Sequence, residues 1–571
     1  MVDKLKLLDE NKEYLLLVLG LILTFIVLFS PILEFLGTIS RNLNLNLNLI
    51  KINVFFVFII LIIYIYLFLV NFSFIKFFFK DIKKNTWVVL FIIVIISFIF
   101  NFYLSQHHMR IQDEFIYTSS ARQLINTGTQ DLMDRGIGWP LLISFVFLLF
   151  GDVGLYAFYF SSFLAVISVF VSFLLFYTIS KDEIISLISS FLFSLSPLII
   201  NYSSWAETNF PSLFFFLISL TFFFLYIRIR KIKLFLLFVS SFSFFFTFRG
   251  ENYLFIIPVL FGFIIYRFNF KLLFNKKIIF FLTLILFLSL PQFLLYSNVY
   301  FTQNFAETQY DATGGENISF ENLNYNIKNY IVYLFNGATY PLFYLLFLIL
   351  GLIYSFISFK KEFIFFIFYF FSILFTMFLW WIGPYEGHFP AQLRYTLVFI
   401  PVLSFFTGVG IFFITSLIFK TKIFKVRYHL HLLIIFLIII FPFLFNSMNI
   451  ISDYRIGNEF SLINKLIIDL GNIISNDSTI ENCTIISINY HDDFIQISEL
   501  FNENQIISSH YEKKINQSEC LLLTDSPHCD FFNSDFFEYY CNYFKSNFNK
   551  SIFKYYELDG IYFPLYKLEK N

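Results

Sequence analysis

Residues 205–231 read Trp205-Ala206-Glu207-Thr208-Asn209-Phe210-Pro211-Ser212-Leu213-Phe214-Phe215-Phe216-Leu217-Ile218-Ser219-Leu220-Thr221-Phe222-Phe223-Phe224-Leu225-Tyr226-Ile227-Arg228-Ile229-Arg230-Lys231. From 210 to 227 no residue carries a charge. A single acid stands before the run and a basic cluster follows it. A helix needs about 20 apolar residues to cross the hydrocarbon of a bilayer. This stretch therefore reads as one transmembrane span with chemically different ends. Comparable runs stand near 14–35, 52–75, 87–104, 155–178, 184–200, 233–248, 253–266, 278–296, 340–358, 363–382, 395–417 and 430–446.

The composition agrees. The 571 residues are 58% hydrophobic and 14% charged, where soluble domains carry about a quarter charged residues. The expected fold is an α-helical polytopic membrane protein with about 13 transmembrane helices, counted from those runs. The apolar segment 139–150 is too short to span and is expected as an interfacial or re-entrant helix. The first run is too long for a signal-peptide core and lacks a small-residue cleavage site. The 91 phenylalanines accompany abundant Ile, Leu, Lys and Asn, a genome-level bias with no functional weight. Zero net charge argues against a nucleic-acid partner.

Orientation follows from the basic residues between spans. One set of loops holds Lys76, Lys80, Lys83, Lys84, Lys181, Arg228, Arg230, Lys231, Lys233, Arg267, Lys271, Lys276, Lys277, Lys360, Lys361, Lys420, Lys422, Lys425 and Arg427. The alternate set holds only Arg41, Lys51, Arg110, Arg122, Arg135, Arg249, Lys328 and Arg394. The N-terminus is therefore expected in the cytoplasm of a cell whose plasma membrane holds the chain, and the C-terminus outside.

Residues 451–571 form a separate, polar segment. Short apolar runs such as Thr484-Ile485-Ile486-Ser487-Ile488 and Leu521-Leu522-Leu523 read as strands, so a small extracytoplasmic α/β domain is expected. Cys483, Cys520, Cys529 and Cys541 all fall there, an even set that suits two disulfides in an oxidising compartment. Four free thiols or a zinc site using His528 are the alternatives. Sequons at Asn317, Asn476, Asn482, Asn516 and Asn549 permit an outside location.

The polar residues not needed by a helix bundle gather on the expected outer face. The first large outer loop carries His107-His108-Met109-Arg110-Ile111-Gln112-Asp113-Glu114, with Ala121-Arg122 following. The spacing of Ile116, Ala121, Leu124 and Ile125 suits a helix on the membrane surface, with Asp113 near its N-cap. Further outer turns carry Glu207, then Arg249-Gly250-Glu251, then Arg394-Tyr395. Taken singly, the carboxylates can be helix caps and the arginines can snorkel to the interface. An arginine there can equally bind a lipid phosphate.

These turns, in this order, resemble the GT-C superfamily of membrane glycosyltransferases, and within it the branch of protein O-mannosyltransferases and lipid A aminoarabinose transferases. The resemblance rests on Asp113-Glu114 with Ala121-Arg122, Gly138-Trp139-Pro140-Leu141, Ser194-Leu195-Ser196-Pro197, Trp205-Ala206-Glu207, Arg249-Gly250-Glu251 and Arg394-Tyr395 before Pro401. It covers residues 85–450, with outer loops 105–138 and 297–339, and leaves residues 1–84 as two additional helices. Glu207 stands where many relatives have Asp. The oligosaccharyltransferase signature Trp-Trp-Asp-Tyr-Gly is absent, and Trp380-Trp381 only echoes it.

The resemblance implies an inverting transfer of a sugar from a polyprenyl-phosphate donor to a protein or lipid-linked glycan acceptor on the extracytoplasmic face. It implies Asp113 as general base with Glu114 beside it, Glu207 orienting the acceptor or pairing with an arginine, and Arg249, Arg394 and Tyr395 on the lipid phosphate. His107, His108 and Arg110 are candidate assistants. No cofactor is implied, although Asp113, Glu114 and Glu207 could converge on a divalent ion. The rival class is a transporter, flippase or polymerase of lipid-linked glycans. Such a protein should carry ionisable groups at mid-membrane, and the spans here are almost free of charge except near their ends.

Overall fold

The structure, a computed structural model, describes residues 46–107, 112–127, 136–151, 154–203, 205–267, 292, 343–379, 393–420, 484–487, 506–508, 521–524, 548–558 and 561–570. The chain divides into two compact units. One comprises Met1–Ser105, Ser120–Leu149 and Ala157–Ile450; the other comprises Gln106–Ser119, Phe150–Tyr156 and Ile451–Asn571.

The first unit is helical. Its elements are α1 (Asn46–Phe78), α2 (Lys84–His107), α3 (Gln112–Thr127), α4 (Gly138–Phe150), α5 (Leu155–Ser180), α6 (Glu183–Ser194), α7 (Pro197–Ser203), α8 (Asn209–Ile229) and α9 (Ile232–Phe246). A first 3-10 helix (Gly250–Phe255) leads into α10 (Ile256–Arg267), followed by α11 (Phe343–Ser358) and α12 (Lys360–Leu379). A second 3-10 helix (Leu393–Phe399) leads into α13 (Ile400–Lys420). The last two residues of α2, the first half of α3, Phe150 at the end of α4 and the first two residues of α5 belong to the second unit by the division above.

Among the described residues, five helices are long and apolar enough to cross a membrane: Val54–Phe72, Lys84–Phe102, Tyr156–Ser180, Asn209–Ile229 and Thr396–Leu417. A bent pair, α6 and α7, adds a sixth. The expected segments 14–35 and 430–446 lie outside the described residues, as does 278–296 apart from Gln292.

The expected single span 184–200 is two helices meeting at 56°. The sequence accounts for the break. Pro197 has no N–H to continue the ladder, and a residue before proline disfavours helical geometry. Leu195 N–H still bonds to Phe191 O, while Ser196 N–H tightens onto Phe193 O at 3.2 Å. Asp182 starts α6, its carboxylate accepting from the Ile184 and Ile185 amides at 2.8 and 3.0 Å, the usual way to satisfy exposed first-turn donors. The segment expected at 395–417 likewise changes from 3-10 to α geometry at Ile400, where Pro401 cannot donate to residue 397.

α8 is the buried centre of the unit. Its apolar circumference suits a helix surrounded by helices on every side. Phe216 packs on Phe245, Phe255 and Tyr369, and Phe223 packs on Phe238, Phe263 and Phe365, with ring centroids 4.7 to 5.8 Å apart. By contrast, α1 and α2 present Phe55, Leu69, Phe91 and Ile99 outward, a surface suited to lipid. α4 is buried from Gly138 to Phe147 apart from Phe145 and exposed at Leu148, Leu149 and Phe150.

In the second unit, a five-stranded mixed sheet has the order β2-β1-β3-β5-β4. Its strands are β1 (Thr484–Ser487), β2 (Ile506–Ser508), β3 (Leu521–Thr524), β4 (Phe548–Leu558) and β5 (Ile561–Lys570). β1 is parallel to β2 and β3, with Ile485 opposite Ile506 and Leu522. β5 is antiparallel to β3 and forms a hairpin with β4, in which Tyr556 faces Phe563. Short all-apolar strands such as Leu521-Leu522-Leu523 suit parallel pairing, where both faces are covered. The four cysteines lie outside the described residues.

Candidate functional site

Glu207 lies in the turn between α7 and α8 and is 2% exposed. A buried carboxylate needs donors to replace its water. Asn209, the first residue of α8, donates from Nδ2 to Glu207 Oε2 at 2.6 Å. The other end of the same amide, Oδ1, accepts from Arg249 Nη1. Arg249 is extended (φ −153°, ψ 146°) just before the first 3-10 helix. One carboxylate, one amide and one guanidinium thus form a chain across two turns distant in sequence.

Three features hold those turns together. Gly138 N–H donates to Thr247 O at 3.0 Å, and a Cβ at Gly136 would stand 2.1 Å from Phe248 O. The start of α4 therefore lies backbone to backbone on the turn that precedes Arg249. Next to it, Trp139 Nε1–H donates to Ala206 O at 2.6 Å, and its ring stacks on Phe160. Asn252 then donates from Nδ2 to Phe245 O at 2.7 Å and to Ser212 Oγ at 3.0 Å, tying the first 3-10 helix to α9 and the first turn of α8.

The second 3-10 helix packs against α7 and α8. Tyr369 of α12 donates its hydroxyl to Val398 O at 2.8 Å. The same ring lies against Phe216 and Phe255. The element that bears Arg394 and Tyr395 is thus in contact with α7 and α8, and Tyr369 links it to Phe216 of α8 and to Phe255 of the first 3-10 helix.

The opposite end of α8 has a different polar set. At about 1.5 Å per residue, Arg228 is roughly 30 Å along the axis from Asn209. Arg228 Nη2 donates to Ile179 O. Nearby, Glu183 accepts from the Thr86 hydroxyl and from Lys83 N–H.

Residues 134–295 match a family model described as dolichyl-phosphate-mannose-protein mannosyltransferase. That block contains Gly136, Trp139, Glu207, Asn209 and Arg249. Among solved structures, ArnT from Cupriavidus metallidurans bound to undecaprenyl phosphate is similar with a TM-score of 0.54 and 10% identity, over 85% of this chain and 98% of that one. The chain has the fold of ArnT, and its block 134–295 is similar to that mannosyltransferase family.

The Archaeoglobus fulgidus oligosaccharyltransferase tethered to an acceptor peptide containing the NVT sequon also has a similar fold. Its TM-score is 0.50 and identity 12%, over 85% of this chain and 74% of that one. No curated protein matches the sequence.

Asp113 and Glu114 occupy the first turn of α3, where carboxylates are favoured by the exposed amides and helix dipole. Their side chains, and those of Arg394, Tyr395, His107 and Glu251, lie outside the described set. His108 and Arg110 lie outside the described residues altogether. Later in α3, Tyr117, Ala121 and Arg122 are buried, and the Arg122 guanidinium lies 5.6 Å from the Phe147 ring centroid. Glu207 and Arg249 do come together, through Asn209. Among the described residues no three of His, Cys, Asp and Glu are grouped as metal ligands; for the expected set of Asp113, Glu114 and Glu207, only the last has a described side chain.

Asn209 and Asn252 carry no role in the motif-based expectation. Each is one Asn in an Asn-rich chain, and nothing local marks a residue whose partners lie 40 positions away.

Proposed function

We propose that this protein is a membrane glycosyltransferase that moves a sugar from a polyprenyl-phosphate donor to a hydroxyl of a protein or lipid-linked glycan on the extracytoplasmic face, with inversion. The observation that carries this reading is the Glu207–Asn209–Arg249 chain at one end of α8, in an element joined to the 3-10 helix that bears Arg394. A buried acid and a cation held beside an apolar bundle suit a lipid phosphate whose tail stays in the membrane. The undecaprenyl phosphate bound to the similarly folded ArnT supports the same donor class. The loop charges, denser at the Arg228 end, support an outward-facing site.

In the proposed step, the acceptor oxygen forms a bond to the anomeric carbon as the bond from that carbon to the phosphate oxygen breaks. The electron pair leaves with the polyprenyl phosphate, whose charge Arg249 and Arg394 stabilise while Tyr395 donates a hydrogen bond. Asp113 takes the acceptor proton, with Glu114 beside it, and Glu207 holds the acceptor side in place. His107, His108 and Arg110 border this loop as assisting groups.

The experiment compares lipid-linked and protein-linked glycans by mass spectrometry in cells with and without the gene. Loss of one sugar from the glycans, with accumulation of its polyprenyl-phosphate donor, is the expected result. An unchanged profile overturns the reading. Complementation with an Asp113→Asn, Glu114→Gln double variant that inserts normally should fail, and full restoration would remove Asp113 as the base.

A further inference from the structure

Asn252 stands in the first 3-10 helix, just beyond Arg249, and is buried. Chemistry fixes the orientation of its amide. The Phe245 carbonyl can only accept, so Nδ2 faces it, at 2.7 Å. The same nitrogen also donates to Ser212 Oγ at 3.0 Å. The Asn252 backbone N–H turns back to Arg249 O at 3.3 Å.

Each partner matters for its place. Phe245 lies in the last turn of α9, where carbonyls lack intrahelical donors. The bond from Asn252 therefore caps α9 and closes residues 246–251 into a loop that contains Arg249. Ser212 lies in the first turn of α8, close along the helix to Asn209, which accepts from the Arg249 guanidinium. One buried amide thus ties the loop that carries the cation to two helices. The loop needs such a tie. Arg249 leaves α9 in an extended conformation, and Gly250 follows. Glycine restricts the backbone less than other residues, so the course of the chain there is set by contacts on either side. Upstream, Gly138 N–H holds Thr247 O at 3.0 Å. Downstream, Asn252 holds the other flank.

We propose that Asn252 is a positioning residue for donor binding: by closing residues 246–251 onto α9 and tying them to Ser212 of α8, it sets where Arg249 meets the donor phosphate. The inference deepens the proposed function and rests on Arg249 being a phosphate ligand. The effect is on the backbone at 249, whichever groups the guanidinium meets. Asn252 acts through Arg249, because its own amide nitrogen is engaged by Phe245 and Ser212.

The test is a double-mutant cycle on undecaprenyl phosphate binding, with the purified full-length chain in detergent. Asn252→Ala should weaken Kd about tenfold, and Arg249→Ala at least about tenfold. The double variant should bind within about threefold of Arg249→Ala alone, since a residue that acts only through Arg249 has nothing left to position. A merely structural role would not give that coupling. A further loss of about tenfold in the double variant overturns the proposal, as does native affinity in Asn252→Ala. If Asn252→Ala does not accumulate, Ser212→Ala decides. It keeps the bond to Phe245 and removes the tie to α8. A Kd weakened about threefold, with no further loss on the Arg249→Ala background, supports the proposal, and an unchanged Kd overturns it. Native affinity in Arg249→Ala refutes Arg249 as a phosphate ligand. Weakened binding there, combined with independent losses in the cycle, refutes only the role of Asn252.

Discussion

Trp139 donates its indole N–H to the Ala206 carbonyl at 2.6 Å, and the next residue is the buried Glu207. One hydrogen bond from the start of α4 therefore fixes the turn that carries the carboxylate. Trp139→Phe keeps most of the apolar contact but leaves that carbonyl without this donor. The expected loss is about 1–3 kcal/mol of stability, read as a lowered thermal midpoint in detergent. If Arg249 binds a lipid phosphate as proposed, weakened polyprenyl-phosphate binding should accompany it, because Glu207, Asn209 and Arg249 are hydrogen-bonded in series. A variant with native stability and native binding would show that Ala206 is held by other means.

Tyr369 connects the second 3-10 helix to the centre of the bundle. Its hydroxyl donates to Val398 O, while its ring lies on Phe216 and Phe255. Tyr369→Phe removes only the hydroxyl, so the stack should survive. The expected cost is about 1–2 kcal/mol, with a larger relative effect on polyprenyl-phosphate affinity than on thermal stability if Arg394 contributes to that site. Equal affinity in wild type and variant would argue that the backbone near Val398 does not govern donor binding.

Gly351 of α11 and Gly410 of α13 let two helices cross in backbone contact. A Cβ at Gly351 would stand 1.8 Å from Phe406 O, and one at Gly410 would stand 1.9 Å from Phe347 O. Small residues at a crossing let helices in a membrane approach this closely. Gly410→Ala must push the helices apart, at a cost of about 1–3 kcal/mol or more. Size-exclusion chromatography after detergent extraction should show a reduced folded fraction. A variant extracted as well as wild type would mean that the crossing relaxes freely.

Lys181 joins α5 to α6 with a left-handed backbone (φ 60°). The residue is exposed, but its ammonium sits 3.4 Å from the Phe78 ring centroid. Burial against that ring, and then the neighbouring Arg228, push its pKa down to about 8, with Asp81 acting the other way. A lysine whose folded pKa lies below its unfolded value carries a penalty that is complete below about pH 8. The penalty is relieved as pH rises from there toward the unfolded value of 10.5. Lys181→Met should thus be more stable relative to wild type at about pH 7 than at pH 10, in thermal melts at both pH values. A difference that grows with pH would reverse the sign and refute the shift.

The membrane class needed only the sequence. Long uncharged runs such as 210–227 have few alternatives once backbone groups must satisfy one another in lipid, and α8 follows that run within a residue or two. The runs 184–200 and 395–417 read as single spans, yet the helices change at Pro197 and Pro401, because a missing N–H acts locally. The strands at Thr484–Ser487 and Leu521–Thr524 were readable from short apolar runs. Glu207 and Arg249 were recognisable as unusual charges at helix ends. What the sequence could not supply was their linkage. Asn209 meets Arg249 across 40 residues, Trp139 meets Ala206 across 67, and Tyr369 meets Val398 across 29. Local patterns record how a segment treats lipid and water. Which amide faces which guanidinium is set by helix packing, and only the tertiary structure decides that.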